Sequence, residues 1–154
     1  MDEEKINRLP PDVKKQFLKY ALKLSEKKIK SKVHDDFMTF VKHVWPEFIE
    51  GKHHKEIADK FNQIAKGEIK RLIINMPPRH TKSEFASYLL PSWMVGRKPD
   101  LKIIQTTHTT ELAIRFGRKA KNLMDSAEYK QVFKTRLRED SQAAGKWETE
   151  QGGE

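Results

Sequence analysis

The sequence contains no cysteine, so disulfides and thiolate metal sites are excluded and a reducing compartment is allowed. No apolar run approaches the ~20 residues that a bilayer-spanning helix needs. The opening residues, Met1-Asp2-Glu3-Glu4-Lys5, lack the apolar core of a signal peptide. Together these absences predict a soluble, intracellular protein. Acid is also scarce: 22 Asp and Glu stand against 31 Lys and Arg, a formal charge of +9. That balance favours a polyanionic partner, although a basic protein with no nucleic-acid role fits the charge equally well. The length of 154 residues suits one domain. No internal repeat is present, and the lysine-rich first helix is the one biased stretch.

Five helical patterns and two strand patterns follow in order. Pro11 suits the first turn of a helix, on which Val13, Phe17, Tyr20 and Leu24 form an apolar stripe among many lysines. Phe37, Phe40, Val41 and Val44 mark a second helix, interrupted by Pro46. Ile57, Phe61 and Ile64 mark a third, with Gly67 at the usual C-terminal position. Leu72-Ile73-Ile74, bounded by Pro77-Pro78, has two apolar faces and predicts a buried strand. A helix with Phe85, Ala86, Leu89 and Trp93 comes next, and Pro91 is placed to kink or end it. Leu101 to Thr106 reads as a second buried strand, and Thr109 or Thr110 can cap a helix with Leu112, Ala113, Phe116, Ala120 and Leu123 inward. This βαβα order predicts an α/β fold with a parallel sheet. Periodicity fades from Lys134 onward.

Between the first strand and its helix lies Pro77-Pro78-Arg79-His80-Thr81-Lys82-Ser83. A phosphate-binding loop occupies this context, because backbone N–H groups and the positive end of the helix face the anion. Its lysine reaches the terminal phosphates and the next hydroxyl ligates Mg²⁺; here those are Lys82 and Ser83. Glycine is what the loop lacks. In the pattern G-x-x-x-x-G-K-[ST] the two glycine positions hold Met76 and Thr81, and a side chain at Thr81 restricts φ and the approach of phosphate. On these residues alone, a proline-bounded loop with an exposed Lys-Ser at a helix start remains an alternative.

The stretch from Arg71 to Glu84 resembles the Walker A region of tailed-phage large terminase subunits, the motors that package viral DNA, many of which have Pro-Pro-Arg-His-Gly-Lys-Ser here. The resemblance extends to Pro91-Ser92-Trp93 with Gly96-Arg97, to Thr106 through Ala113, to Ser126-Ala127-Glu128-Tyr129 with Phe133, and to Trp147-Glu148-Thr149 with Gly152-Gly153. Upstream, His53-His54 and Gly67 also fit, so it spans roughly residues 33 to 154. It implies a P-loop ATPase fold of the RecA-like, additional-strand class, incomplete, with a basic N-terminal helix or tail over residues 1–32. By the same resemblance ATP and Mg²⁺ are the cofactors. Lys82 binds the β- and γ-phosphates, Ser83 the metal, and Arg79 senses or stabilises the transferring phosphate. Pro77, Pro78, His80 and Thr81 complete the loop, His80 by backbone positioning. Implied partners are double-stranded DNA, a portal protein, a small terminase subunit and sister subunits in a ring. The implied location is the host cytoplasm, docked transiently on the procapsid portal, with no membrane and no secretion.

Such an ATPase also needs an apolar strand ending in Asp and then a Glu that activates water. No such strand follows Ile104; Glu139-Asp140 follows Arg136-Leu137-Arg138, which is not a buried strand. A carboxylate-rich nuclease domain is absent as well. The expectation is a chain cut short that binds ATP with little or no turnover. Two other functions stand beside it: a helicase-like P-loop motor, and a basic DNA-binding module without a nucleotide site. Arg115, Arg118, Lys119 and Lys121 are further candidates to face DNA. His53 and His54 lie where related motors contact adenine, with surface histidines as the plainer reading. Trp45, Trp93 and Trp147 read as core or rim aromatics.

Overall fold

The computed structural model describes residues 10–143 and 146–153. The acidic opening Met1 to Lys5 lies outside the described residues. Helix α1 (Pro11–Asp35) starts with proline in its first turn and ends at Asp36, whose backbone is extended. Asp36 then caps α2 (Phe37–Val44): its Oδ1 accepts from the Thr39 N–H at 2.7 Å and the Thr39 hydroxyl at 2.6 Å. Its other oxygen accepts from Asn62 Nδ2 at 2.8 Å, and Asn62 Oδ1 accepts the Phe37 N–H at 2.9 Å. One carboxylate thus ties α2 to α3 (Lys52–Lys66). Gly67 ends α3 in the left-handed region, φ 79°, as its position predicts.

A three-residue turn of helix, α4 (Lys82–Glu84), runs straight into a π-helical segment (Phe85–Leu89) and then α5 (Leu90–Arg97). Pro91 neither ends nor breaks this helix. It has no N–H to give Ser87, and the wider turn just before it, where the Leu90 N–H reaches back to Phe85, absorbs the loss. Thr109 caps α6 (Thr110–Asp125), accepting the Leu112 N–H at 3.3 Å, and Ser126 caps α7 (Ala127–Val132).

Phe37 sits at the centre of the core, edge-on to Phe61 (5.1 Å), Phe85 (5.5 Å) and Trp93 (5.5 Å). Trp93 is fully buried and donates its indole N–H to the Val33 carbonyl at 3.2 Å, which anchors the end of α1. Tyr129 and Phe133 close the other side of the core, against Phe40.

The two segments expected as parallel strands, residues 71–77 and 101–107, form no β-ladder among the described residues. Both nevertheless alternate in burial residue by residue, the period of a strand. Leu72, Ile74, Met76 and Ile103 pack onto the core. Ile73 and Ile104 point away and are 86% and 92% exposed. The helices therefore cover one face of each segment, where two apolar faces had predicted burial on both sides. The one sheet among the described residues is an antiparallel hairpin, β1 (Leu137–Ala143) and β2 (Lys146–Thr149), in the region where apolar periodicity fades. Thr149 fixes it to the body by donating its hydroxyl to the Pro99 carbonyl at 2.5 Å. No described helix is long and apolar enough to cross a membrane.

Candidate functional site

The Pro77–Ser83 loop leaves segment 71–77 and enters α4. Pro77 and Pro78 fix two φ angles, and the chain turns at Pro78 and Arg79. His80 Nδ1 lies 2.9 Å from the Pro78 carbonyl and braces that turn. Arg79 (φ 65°) and Thr81 (φ 63°) are the non-glycine residues with positive φ among those described. Each costs roughly 1–2 kcal/mol in this region. Two such residues with His80 between them make the backbone alternate in sign, the arrangement that turns successive N–H groups toward one concavity.

Thr81 stands at the N-cap of α4, in the place where phosphate loops use glycine, and its side chain makes no capping bond. The first helical turn therefore starts without a side-chain cap. Lys82 folds back across the loop and donates to the Met76 carbonyl at 3.3 Å, and both residues line the same hollow. Ser83 is exposed beside it. The loop from Met76 to Glu84 lines a cavity of about 420 Å³. A larger hollow, about 740 Å³, lies near the hairpin, but its lining mixes Lys130, Lys134 and Arg136 with Asp125, Glu139 and Glu150 and offers no phosphate cradle.

Glu84 is engaged rather than free. Its two oxygens accept from Lys119 Nζ at 2.8 and 2.7 Å, which ties the loop's helix to α6. Lys119 also lies 5.1 Å over the Tyr88 ring. Burial, followed by the Glu84 charge, pushes the Tyr88 hydroxyl up to about 12. Nothing in the sequence signals this cluster, because its partners are 35 residues apart and each reads locally as a helix-surface residue. Of the four basic residues of α6 considered for DNA, Arg115 and Arg118 are exposed, whereas Lys119 is committed to Glu84.

The loop's tip rests on the start of α3. His80 meets His53 edge-on at 5.8 Å, and His53 lies 3.8 Å from His54. His54 is buried, contrary to its reading as a surface histidine. Its Nδ1 accepts the Gly51 N–H at 2.9 Å and its ring packs on Phe48 and Phe85. Its Nε2 has no partner. Burial, then the neighbouring His53, pulls its pKa below the ordinary 6.5.

Among the described residues no group of three or more His, Asp or Glu is placed to hold a metal ion. For Mg²⁺, Ser83 offers one hydroxyl, which suits an ion that keeps waters and takes phosphate oxygens as its other ligands. Several of the other residues that carried the resemblance, Trp93, Tyr129 and Phe133 among them, act in the core. Gly96 has no room for a Cβ, which would stand 2.6 Å from Phe133 and 2.7 Å from the Tyr129 hydroxyl. Tyr129 itself donates to the Ser92 carbonyl at 2.7 Å. Trp93 is in the core, and Trp45 and Trp147 sit at its rim. No family model, no curated protein and no solved structure matches this chain.

Proposed function

We propose that Pro77–Ser83 binds the phosphates of ATP, and that this chain is the ATP-binding portion of a DNA-packaging motor of the large-terminase kind. The observation that carries the reading is the left-handed Thr81 at the mouth of α4. A threonine held at positive φ is costly, and such strain persists where a function needs the backbone it creates. Here that backbone opens a helical turn without a side-chain cap, next to Lys82, which bonds back to the loop's start at Met76.

In this reading the loop N–H groups hold the phosphate oxygens, and Lys82 exchanges its bond to the Met76 carbonyl for the β- and γ-phosphates. Ser83 gives its hydroxyl to Mg²⁺. Arg79, at the exposed turn, neutralises charge on the terminal phosphate. Pro77, Pro78 and His80 hold the loop's shape, and His53 is within reach of a base bound beside His80. Turnover is expected to be slow or absent, because Glu84 is paired with Lys119 and is not free to activate water. Double-stranded DNA, a portal, a small terminase subunit and sister subunits in a ring are the partners the resemblance implies; the +9 charge suits the first of these.

Calorimetric titration with Mg²⁺-ATP, on the wild type and on Lys82→Ala, tests the proposal. Loss of binding in a folded Lys82→Ala protein is expected. Equal binding by both would remove the phosphate site. A folded wild type that binds duplex DNA but no nucleotide would favour the basic DNA-binding module instead.

A further inference from the structure

Helix α1 is anchored at its C-terminal end by Val33, and before that end it carries an apolar seam that the other described residues leave largely open. Val13, Phe17, Tyr20 and Leu24 are spaced four, three and four residues apart. One residue per turn at alternating four and three spacing makes a narrow seam of the kind that a second helix packs against. Phe17 is half-buried, while Val13 (46%), Tyr20 (63%) and Leu24 (42%) remain open. The positions flanking the seam are Lys14, Ala21 and Lys28 on one side and Gln16, Lys23 and Lys30 on the other, four lysines and no carboxylate.

We propose that this seam docks an acidic amphipathic helix of a partner protein, whose apolar residues interlock with Val13, Phe17, Tyr20 and Leu24 and whose flanking carboxylates meet Lys23, Lys28 and Lys30. Flanking charges choose partners in such pairings. A second copy of α1 would set lysine against lysine and is disfavoured. A phosphate backbone would satisfy the lysines but leave the seam in water. A bilayer needs a single apolar side, and α1 has a second stripe, Leu18, Leu22 and Ile29, on a separate face. An acidic helix alone satisfies both the seam and its flanks. The inference is independent of the nucleotide site.

The probe is a labelled three-heptad peptide with Ile and Leu at the seam positions and Glu at the flanks, titrated into the full chain by fluorescence anisotropy. Saturable binding is expected, weakened at least about tenfold by Tyr20→Ser with Leu24→Ser and also by Lys23→Glu, Lys28→Glu and Lys30→Glu together. A Lys-flanked peptide should bind the charge-reversed variant and not the wild type. These positions are exposed, so circular dichroism should show unchanged folding. Failure of the acidic peptide to bind, or binding that ignores the Tyr20 and Leu24 changes, overturns the proposal. So does seam-dependent self-association, or seam-dependent binding to anionic vesicles or duplex DNA in place of the peptide.

Discussion

Thr81 is where local chemistry and the proposed function conflict most openly. A β-branched residue at φ 63° is held there against its preference. Thr81→Gly should relieve about 1–2 kcal/mol of strain and return about 0.5–1 kcal/mol of it as added chain entropy. The expected result is a small gain in stability by thermal denaturation, together with several-fold tighter ATP, since the Cβ no longer limits phosphate approach. Loss of stability on Thr81→Gly would contradict the left-handed assignment. The residues of this loop were legible because a strand-like run, a lysine-serine pair and a helix start are all local signals. The strain at Arg79 and the Glu84–Lys119 pair were not, because both depend on how distant segments pack. The burial of His54 is hidden for the same reason: two adjacent histidines look like surface, and Phe48 and Phe85 are what bury one of them.

Helix ends are the elements that the sequence announces best. Pro11, Gly67 and Thr109 each stand where a single-residue rule puts them. Asp36 is the cap that apolar periodicity does not show, and it does the most joining. Burial alone would raise its pKa, but hydrogen bonds from Thr39 and Asn62 outweigh burial and hold it below the ordinary carboxylate value. Asp36→Ala should lower stability by about 1–2 kcal/mol in urea denaturation and loosen α2 from α3 together. Its contribution is present above the unfolded carboxylate range and fades as pH falls through the folded value. The hairpin from Leu137 to Thr149 is silent in the sequence for the opposite reason: Arg138, Glu139 and Asp140 are exposed, so no alternation of apolar residues marks it. Its ion pairs, Arg138 with Asp140 and Glu148, are surface pairs of little worth.

At the scale of the whole molecule, one layer of helices packs around Phe37 and Trp93, and segments 71–77 and 101–107 lie against it with Ile73 and Ile104 uncovered. The sequence shows those segments as apolar on both faces but cannot show which face is covered. Packing between α5 and α7 is tight at Gly96, so Gly96→Ala should destabilise by about 1–3 kcal/mol through overpacking against Phe133 and Tyr129, read as a lowered denaturation midpoint. Folding should also depend on pH through His54. Its folded pKa lies below its unfolded value, so its contribution is full above about pH 6.5 and is lost as pH falls through the folded pKa. Melting followed from pH 7.5 to 5.5 should decline more steeply in the wild type than in His54→Asn; parallel curves would contradict the burial of that ring.

The most direct test of the account is a Mg²⁺-dependent titration of a fluorescent ATP analogue against wild type, Lys82→Ala and Thr81→Gly, with folding checked in each. The account predicts saturable binding by the wild type, tighter binding by Thr81→Gly and none by Lys82→Ala. Three folded proteins with the same response, whether all bind or none does, would contradict it.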